Sequence, residues 1–240
     1  PPGATPTPGL TLADLAALGI NGGTSDNLAT IIAFIANSAN DATGVDTKAE
    51  LQALVNAAAA QAIKDAFIAQ ISLYDGTQSA PTRNNYADAG ITGVDLTNRD
   101  IINSIVAQLS QAQTDSAAEL QAIVTASNKI IALADGTAAN GSASALTATD
   151  TAAIGLAGVD SAAELTLFNE MIDASQIGTV DTYAELSAIA RAVQAILLTA
   201  AGGTPNPALS VADYEVLGIT GLDSSSLSFM VTQLAATADN

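Results

Sequence analysis

Carboxylates are the only abundant reactive side chains in this sequence of 240 residues: 24 Asp and Glu stand beside 6 Lys and Arg, with neither His nor Cys. General acid–base work needs two carboxyls whose pKa values are split inside a low-dielectric cleft. Glu164 and Glu170 lie six apart on one predicted helix, a spacing that turns them to different faces. Asp213 and Glu215 are near neighbours at a predicted helix start, where capping and solvation account for both. Ser127 and Lys129 have the residue types of a nucleophile and its base, but two positions apart on a helix they point away from each other. No catalytic residue is expected, and the sequence reads as non-enzymatic.

Binding chemistry is bounded the same way. Without Cys there is no disulfide framework and no thiolate metal site. Without His the commonest nitrogen ligand for zinc, copper or iron is missing. A formal net charge of −18 argues against nucleic acid, whose phosphates call for Lys and Arg. No cofactor is expected. Weak calcium sites are the one metal reading, with Asp75 and Asp135 as candidates in Asp75-Gly76-Thr77 and Asp135-Gly136-Thr137, since oxygen ligands suit a hard cation. The third corresponding stretch, Ala201-Gly202-Gly203-Thr204, lacks the Asp. Asn140-Gly141-Ser142 is a formal glycosylation sequon in a small, polar linker. The longest uncharged stretch, 192–212, is interrupted by Gly202-Gly203-Thr204-Pro205-Asn206-Pro207, so no transmembrane segment is expected.

The elements that must carry these residues announce themselves by repetition. Four segments open with a hydroxyl residue, an Asp or Asn three positions on, and a Gly five further: Thr11, Asp14, Gly19; Thr82, Asn85, Gly90; Thr147, Asp150, Gly155; Ser210, Asp213, Gly218. A second Gly follows at Gly22, Gly93, Gly158 and Gly221. This grammar predicts a capped helix of about two turns with a left-handed glycine stop, too short to stand without packing. A second helix follows, with apolar stripes such as Ile101, Ile102, Ile105, Val106 and Met230, Val231, Leu234. Thr24, Asp95, Asp160 and Asp223 are its predicted N-caps. A third helix opens on a capping box, Thr47-Lys48-Ala49-Glu50-Leu51, Ser116-Ala117-Ala118-Glu119-Leu120 and Thr182-Tyr183-Ala184-Glu185-Leu186. The interval from Glu50 to Gly76 exceeds that from Glu119 to Gly136 by nine residues, which predicts extra turns in the first third helix. Tyr86 and Tyr214 match between segments and are expected to pack against the next element.

Composition agrees with slim, closely packed helices. Ala is about a fifth of the chain and aromatics are 3%, which disfavours a β-sandwich. The fold class expected is all-α, as tandem three-helix-bundle repeats with three full copies and a partial fourth. The boundaries are a linker over 1–10, repeats over 11–77 (with an extended third helix), 78–141 and 142–204, and a two-helix partial repeat over 205–240.

Three short helices, a Leu-Gly-Ile or Ala-Gly-Ile turn, and a helix such as Glu119-Leu120-Gln121-Ala122-Ile123-Val124 resemble the GA and GA-like modules of bacterial surface proteins. Long arrays of this look also resemble repeats in large secreted adhesins of Gram-negative bacteria. The resemblance implies three-helix bundles, an extracellular or cell-surface location and, in some members, serum-albumin binding.

Three functions follow as expectations. The first is a surface-displayed stalk or adhesive array, whose partners are neighbouring repeats and an extracellular protein ligand. The second is a self-assembling subunit of a filament or surface layer. In that reading the fourth segment, lacking a third helix, exposes Met230, Val231 and Leu234 as an interface to copies of itself. The third is a host serum-protein binder.

Overall fold

The computed structural model describes residues 9–38, 44–136, 145–156 and 158–239. The linker stretch Pro1–Pro8, Thr137 and the Asn140-Gly141-Ser142 sequon lie outside them. Among the described residues the secondary structure is helical, with no β-strand and one isolated bridge between Asp135 and Gln176. The α-helices are α1 (Leu12–Ala17), α2 (Leu28–Asn37), α3 (Lys48–Ser72), α4 (Arg83–Asp88), α5 (Arg99–Val106), α6 (Ala117–Leu133), α7 (Ala148–Ala153), α8 (Ala162–Ala174), α9 (Tyr183–Ala200), α10 (Val211–Val216) and α11 (Ser224–Ala235). No described helix is long and apolar enough to cross a membrane.

Local chemistry sets these boundaries. α1, α4, α7 and α10 each begin on the hydroxyl of the opening triplet, and the side chain three residues on reaches back to it. Thr147 N–H and Oγ both donate to Asp150 Oδ2, at 2.8 and 2.6 Å, and the Asp150 amide donates to Thr147 Oγ at 3.3 Å. Thr82 and Asn85 close the same box with an amide in place of the carboxylate. Each of these helices stops at a glycine. Gly90 takes φ 82° and Gly93 φ 80°, left-handed conformations that a Cβ would strain. The amide of the residue after the first glycine then donates five residues back: Ile20 to Leu15 O, Ile91 to Tyr86 O, Leu156 to Thr151 O and Ile219 to Tyr214 O, at 2.8–2.9 Å.

The predicted caps of the second helices need correction. Asp223 caps α11, but α8 is capped by Ser161 rather than Asp160. α2 and α5 begin after Asn27 and Asn98, three residues beyond Thr24 and Asp95. A preliminary turn occupies the interval: Asp95 N–H donates to Asn98 Oδ1 at 2.8 Å and the Asn98 amide to Asp95 Oδ1 at 3.2 Å. The third helices have the predicted boxes, and α3 runs 25 residues against 17 for α6. The extra turns expected in α3 are present.

The described residues fall into two compact units, the first within Pro1–Gln70 and Asp88–Gly90, the second within Ile71–Ala87 and Ile91–Asn240. In the first, Leu15 and Ile20, Ile31, and Val55 and Ala58 draw α1, α2 and α3 onto one core, with Leu12, Phe34 and Leu51 packed against it. In the second, α6 packs on α5 and also on α7 and α8, while α9 packs on α8 and also on α10 and α11. Each long helix therefore serves the elements before it and those after it.

A glutamine ties two of the long helices to a glycine turn. Gln52 accepts from the Asn21 amide at 2.9 Å and donates to the Asn21 carbonyl at 2.8 Å. Gln121 does the same at Thr92, at 3.0 and 3.1 Å. Both backbone groups of an otherwise open turn residue are thereby paired. Gln121→Ala is expected to lower stability by about 1 kcal/mol, as a lower urea midpoint at unchanged slope.

Candidate functional site

Two of the six cations stand where a long helix receives the next short one. Lys129 on α6 donates to Asp150 Oδ2 of α7 at 2.6 Å, with side chains 26% and 10% exposed. Arg191 on α9 pairs with Asp213 of α10, whose side chain is 1% exposed. In both cases the carboxylate also closes the capping box of its short helix. One group thus fixes the helix start and anchors it to its neighbour. The third ion pair among the described residues, Arg99 with Asp100, joins sequence neighbours at the surface, where such pairs contribute little.

Burial pushes the Asp150 carboxyl up, and hydrogen bonds from Lys129 and Thr147 more than reverse it, so it titrates below the usual carboxylate range. The cap hydroxyls of Thr11, Thr47 and Ser161 hold Asp14, Glu50 and Glu164 low in the same way.

The chemically suggestive pairs are drawn apart. Ser127 is fully buried and its Oγ has no hydrogen-bond partner, whereas the Lys129 ammonium is held by Asp150. Glu164 closes the Ser161 box. Asp213 caps α10 with Ser210 as expected, but rather than being solvated it is buried against Arg191. Sequence reasoning missed both ion pairs, because Lys129 and Arg191 come 21 and 22 residues before their partners with no periodicity linking them. Asp75 Oδ1 accepts from the Thr77 amide at 2.9 Å and hydroxyl at 2.6 Å, and Asp135 bridges to Gln176. Among the described residues no three acidic side chains are grouped so as to hold a metal ion.

Met230, Val231 and Leu234 do not form the uncovered stripe expected of them. They are half-buried, packed with Leu222 and Leu227 against Ala195 of α9, Leu209 and Tyr214. The second face of α9 covers them. Exposure falls elsewhere on the fourth segment, at Phe229 (63%) and Ile219 (42%).

The matching tyrosines both pack as expected. Tyr86 is fully buried and its hydroxyl donates to Asn103 Oδ1 at 2.8 Å, while Asn103 Nδ2 donates to Pro81 O at 2.9 Å. Asn169 makes the equivalent bond to Leu146 O, at 3.0 Å. Tyr214 is 2% exposed, and its hydroxyl has no hydrogen-bond partner.

An open groove of about 650 Å³ lies in the second unit, between the end of α8, the first turns of α9 and the end of α10. Met171, Ile189 and Val216 supply its apolar wall, Glu185 and Glu215 its carboxylates, and Gly218 its edge. It can receive an apolar or cationic side chain. No family model, curated protein or solved structure matches the chain.

Two outcomes check this description. Arg191→Met leaves a buried carboxylate without its counter-ion and is expected to cost about 2 kcal/mol by urea denaturation. Arg191→Met with Asp213→Asn, which copies the neutral Asn85 box, is expected to recover most of that loss. For Asp150 the folded pKa is depressed, so its contribution is present above about pH 4 and disappears as pH falls through the folded value. The Tm difference between the native chain and Asp150→Asn is accordingly expected to be full at pH 7 and to shrink progressively as pH falls below about 4.

Proposed function

We propose that the chain is a non-enzymatic array of tandem three-helix modules, GA-like in character, that serves at a bacterial surface as a stalk or adhesive segment. One observation carries this reading. α6 and α9 each pack on helices of their own segment and of the following one, and Lys129–Asp150 and Arg191–Asp213 lock the following short helix in place. The second, third and fourth segments are therefore joined by packed side chains, so that pulling on one loads the next through packing. An acidic exterior with a net charge of −18 supports repulsion between neighbouring chains and solubility. Two of the three ion pairs among the described residues sit at joints, which supports a mechanical role over a chemical one.

The two other readings have less support. A self-assembling subunit was anticipated from Met230, Val231 and Leu234, which α9 already covers. A serum-protein binder needs an exposed apolar or aromatic patch on one module. α2, α5 and α8 turn their large apolar residues inward, whereas α11 leaves Phe229 outside.

Concatenated chains of one, two and three copies are expected to be monomeric, with a maximum dimension by small-angle scattering that grows in equal steps. A dimension that stays constant would count against an array. Serum passed over the immobilised chain is expected to leave no albumin behind, and stoichiometric retention of albumin would replace the stalk reading with the binder.

A further inference from the structure

The turn that links first and second helices is seated in three segments and bare in the fourth. In the first segment a Cβ on Gly22 would meet Val55 and Asn56 of α3; in the second, one on Gly93 would meet Val124 and Asn128 of α6; in the third, one on Gly158 would meet Gln194 of α9. Each neighbour belongs to that segment's own third helix. The preceding glycine is covered as well: Gly19 by Lys48, and Gly155 by Leu109 and by Tyr183, whose hydroxyl donates to Gly155 O at 3.3 Å. Lys48 and Tyr183 occupy the same place, the second position of the capping box. A Cβ on Gly218 or Gly221 would meet nothing within 4 Å. The residue after the first glycine records the same difference. Ile20, Ile91 and Leu156 are 5%, 3% and 4% exposed, and Ile219 is 42% exposed. α11 buries no residue fully, where α5 and α8 do.

We infer that the face formed by Gly218–Gly221, Ile219 and the adjoining groove is a docking seat for one amphipathic helix of the third-helix kind, supplied from outside these 240 residues. This rests on the module reading above. The occupant's chemistry is set by the three seats already filled. A capping box brings Glu to the helix start. A long side chain at its second position enters the groove beside Gly218, where Glu185 and Glu215 favour a cation such as Lys48 provides. A Gln two residues after the Glu clasps both backbone groups of the exposed Thr220, as Gln52 does at Asn21 and Gln121 at Thr92. A Val five after the Glu covers the second glycine, as Val55 and Val124 do. α3, α6 and α9 are themselves packed in place, so a second copy of the chain has no spare helix to offer.

The test uses the whole chain and a blocked peptide of residues 46–64, which combines Lys48, Glu50, Gln52 and Val55. Saturable binding by calorimetry is expected, together with slowed amide exchange at Ile219 and Thr220. Gln52→Ala in the peptide should weaken binding roughly tenfold, and Lys48→Glu should weaken it further at low salt. Ile219→Asp in the chain should abolish binding while leaving Tm unchanged, since Ile219 is exposed in the free chain. Absence of saturable binding, with Ile219 and Thr220 exchanging as fast as before, would overturn the proposal. So would self-association that protects the same turn without peptide. The amides of Asn21 and Thr92 serve as an internal standard. If both are protected in the free chain, a negative result removes the docking seat alone. If they exchange as fast as Thr220, the module reading falls with it.

Discussion

A long helix packs on a turn whose two glycines take left-handed φ, a conformation that a side chain would strain, and at two such turns it pairs both backbone groups of the residue between them. The chain depends on this contact. The short helices α1, α4, α7 and α10 have six residues each, well below the length at which a helix holds in water. They persist because a capping box fixes their first turn and a left-handed glycine ends their last, and in the first three the next residue (Ile20, Ile91, Leu156) drops into the core. Where a Gln from the long helix then bonds the turn residue on both sides, as at Asn21 and Thr92, the turn becomes part of the packed seam.

Charge economy follows from the same constraint. With 6 cations against 24 acids, most carboxylates remain solvated or engaged with hydroxyls and amides at helix starts. Lys129 and Arg191 are placed where a capping carboxylate is buried at a joint, at Asp150 and Asp213. A buried carboxylate without a partner is costly. The second segment avoids the question by using Asn85, which closes the same box without charge. The two solutions coexist in one chain, so capping and joint-locking are separable tasks.

Sharing of the long helices changes what the fourth segment means. Read as two helices without a third, it would leave Met230, Val231 and Leu234 uncovered. α9 has a second face, and that face covers them. What stays open is the side on which the other segments hold their own third helix, recorded at Ile219, Gly218 and Gly221. The polar contents of the core shift accordingly. Tyr86 finds Asn103 across the α4–α5 contact. In the fourth segment Val231 stands at the equivalent position, and the Tyr214 hydroxyl has no hydrogen-bond partner.

Local signals in the sequence determined the helices, the capping boxes at Thr11, Thr47, Ser116, Thr147, Thr182 and Ser210, the glycine stops and the longer α3, because each depends on residues within one or two turns of one another. The inward packing of Tyr86 and Tyr214 was legible from their matching positions. The starts of α2 and α5 were misplaced by three residues, since Thr24 and Asp95 close a reciprocal turn with Asn27 and Asn98 ahead of the helix. Only the tertiary structure decided which helix each seam faces. The ion pairs at Asp150 and Asp213, the two-sided use of α6 and α9, and the bare turn at Gly218–Gly221 all join residues that are distant in sequence, and helical periodicity fixes which face is apolar without naming its neighbour.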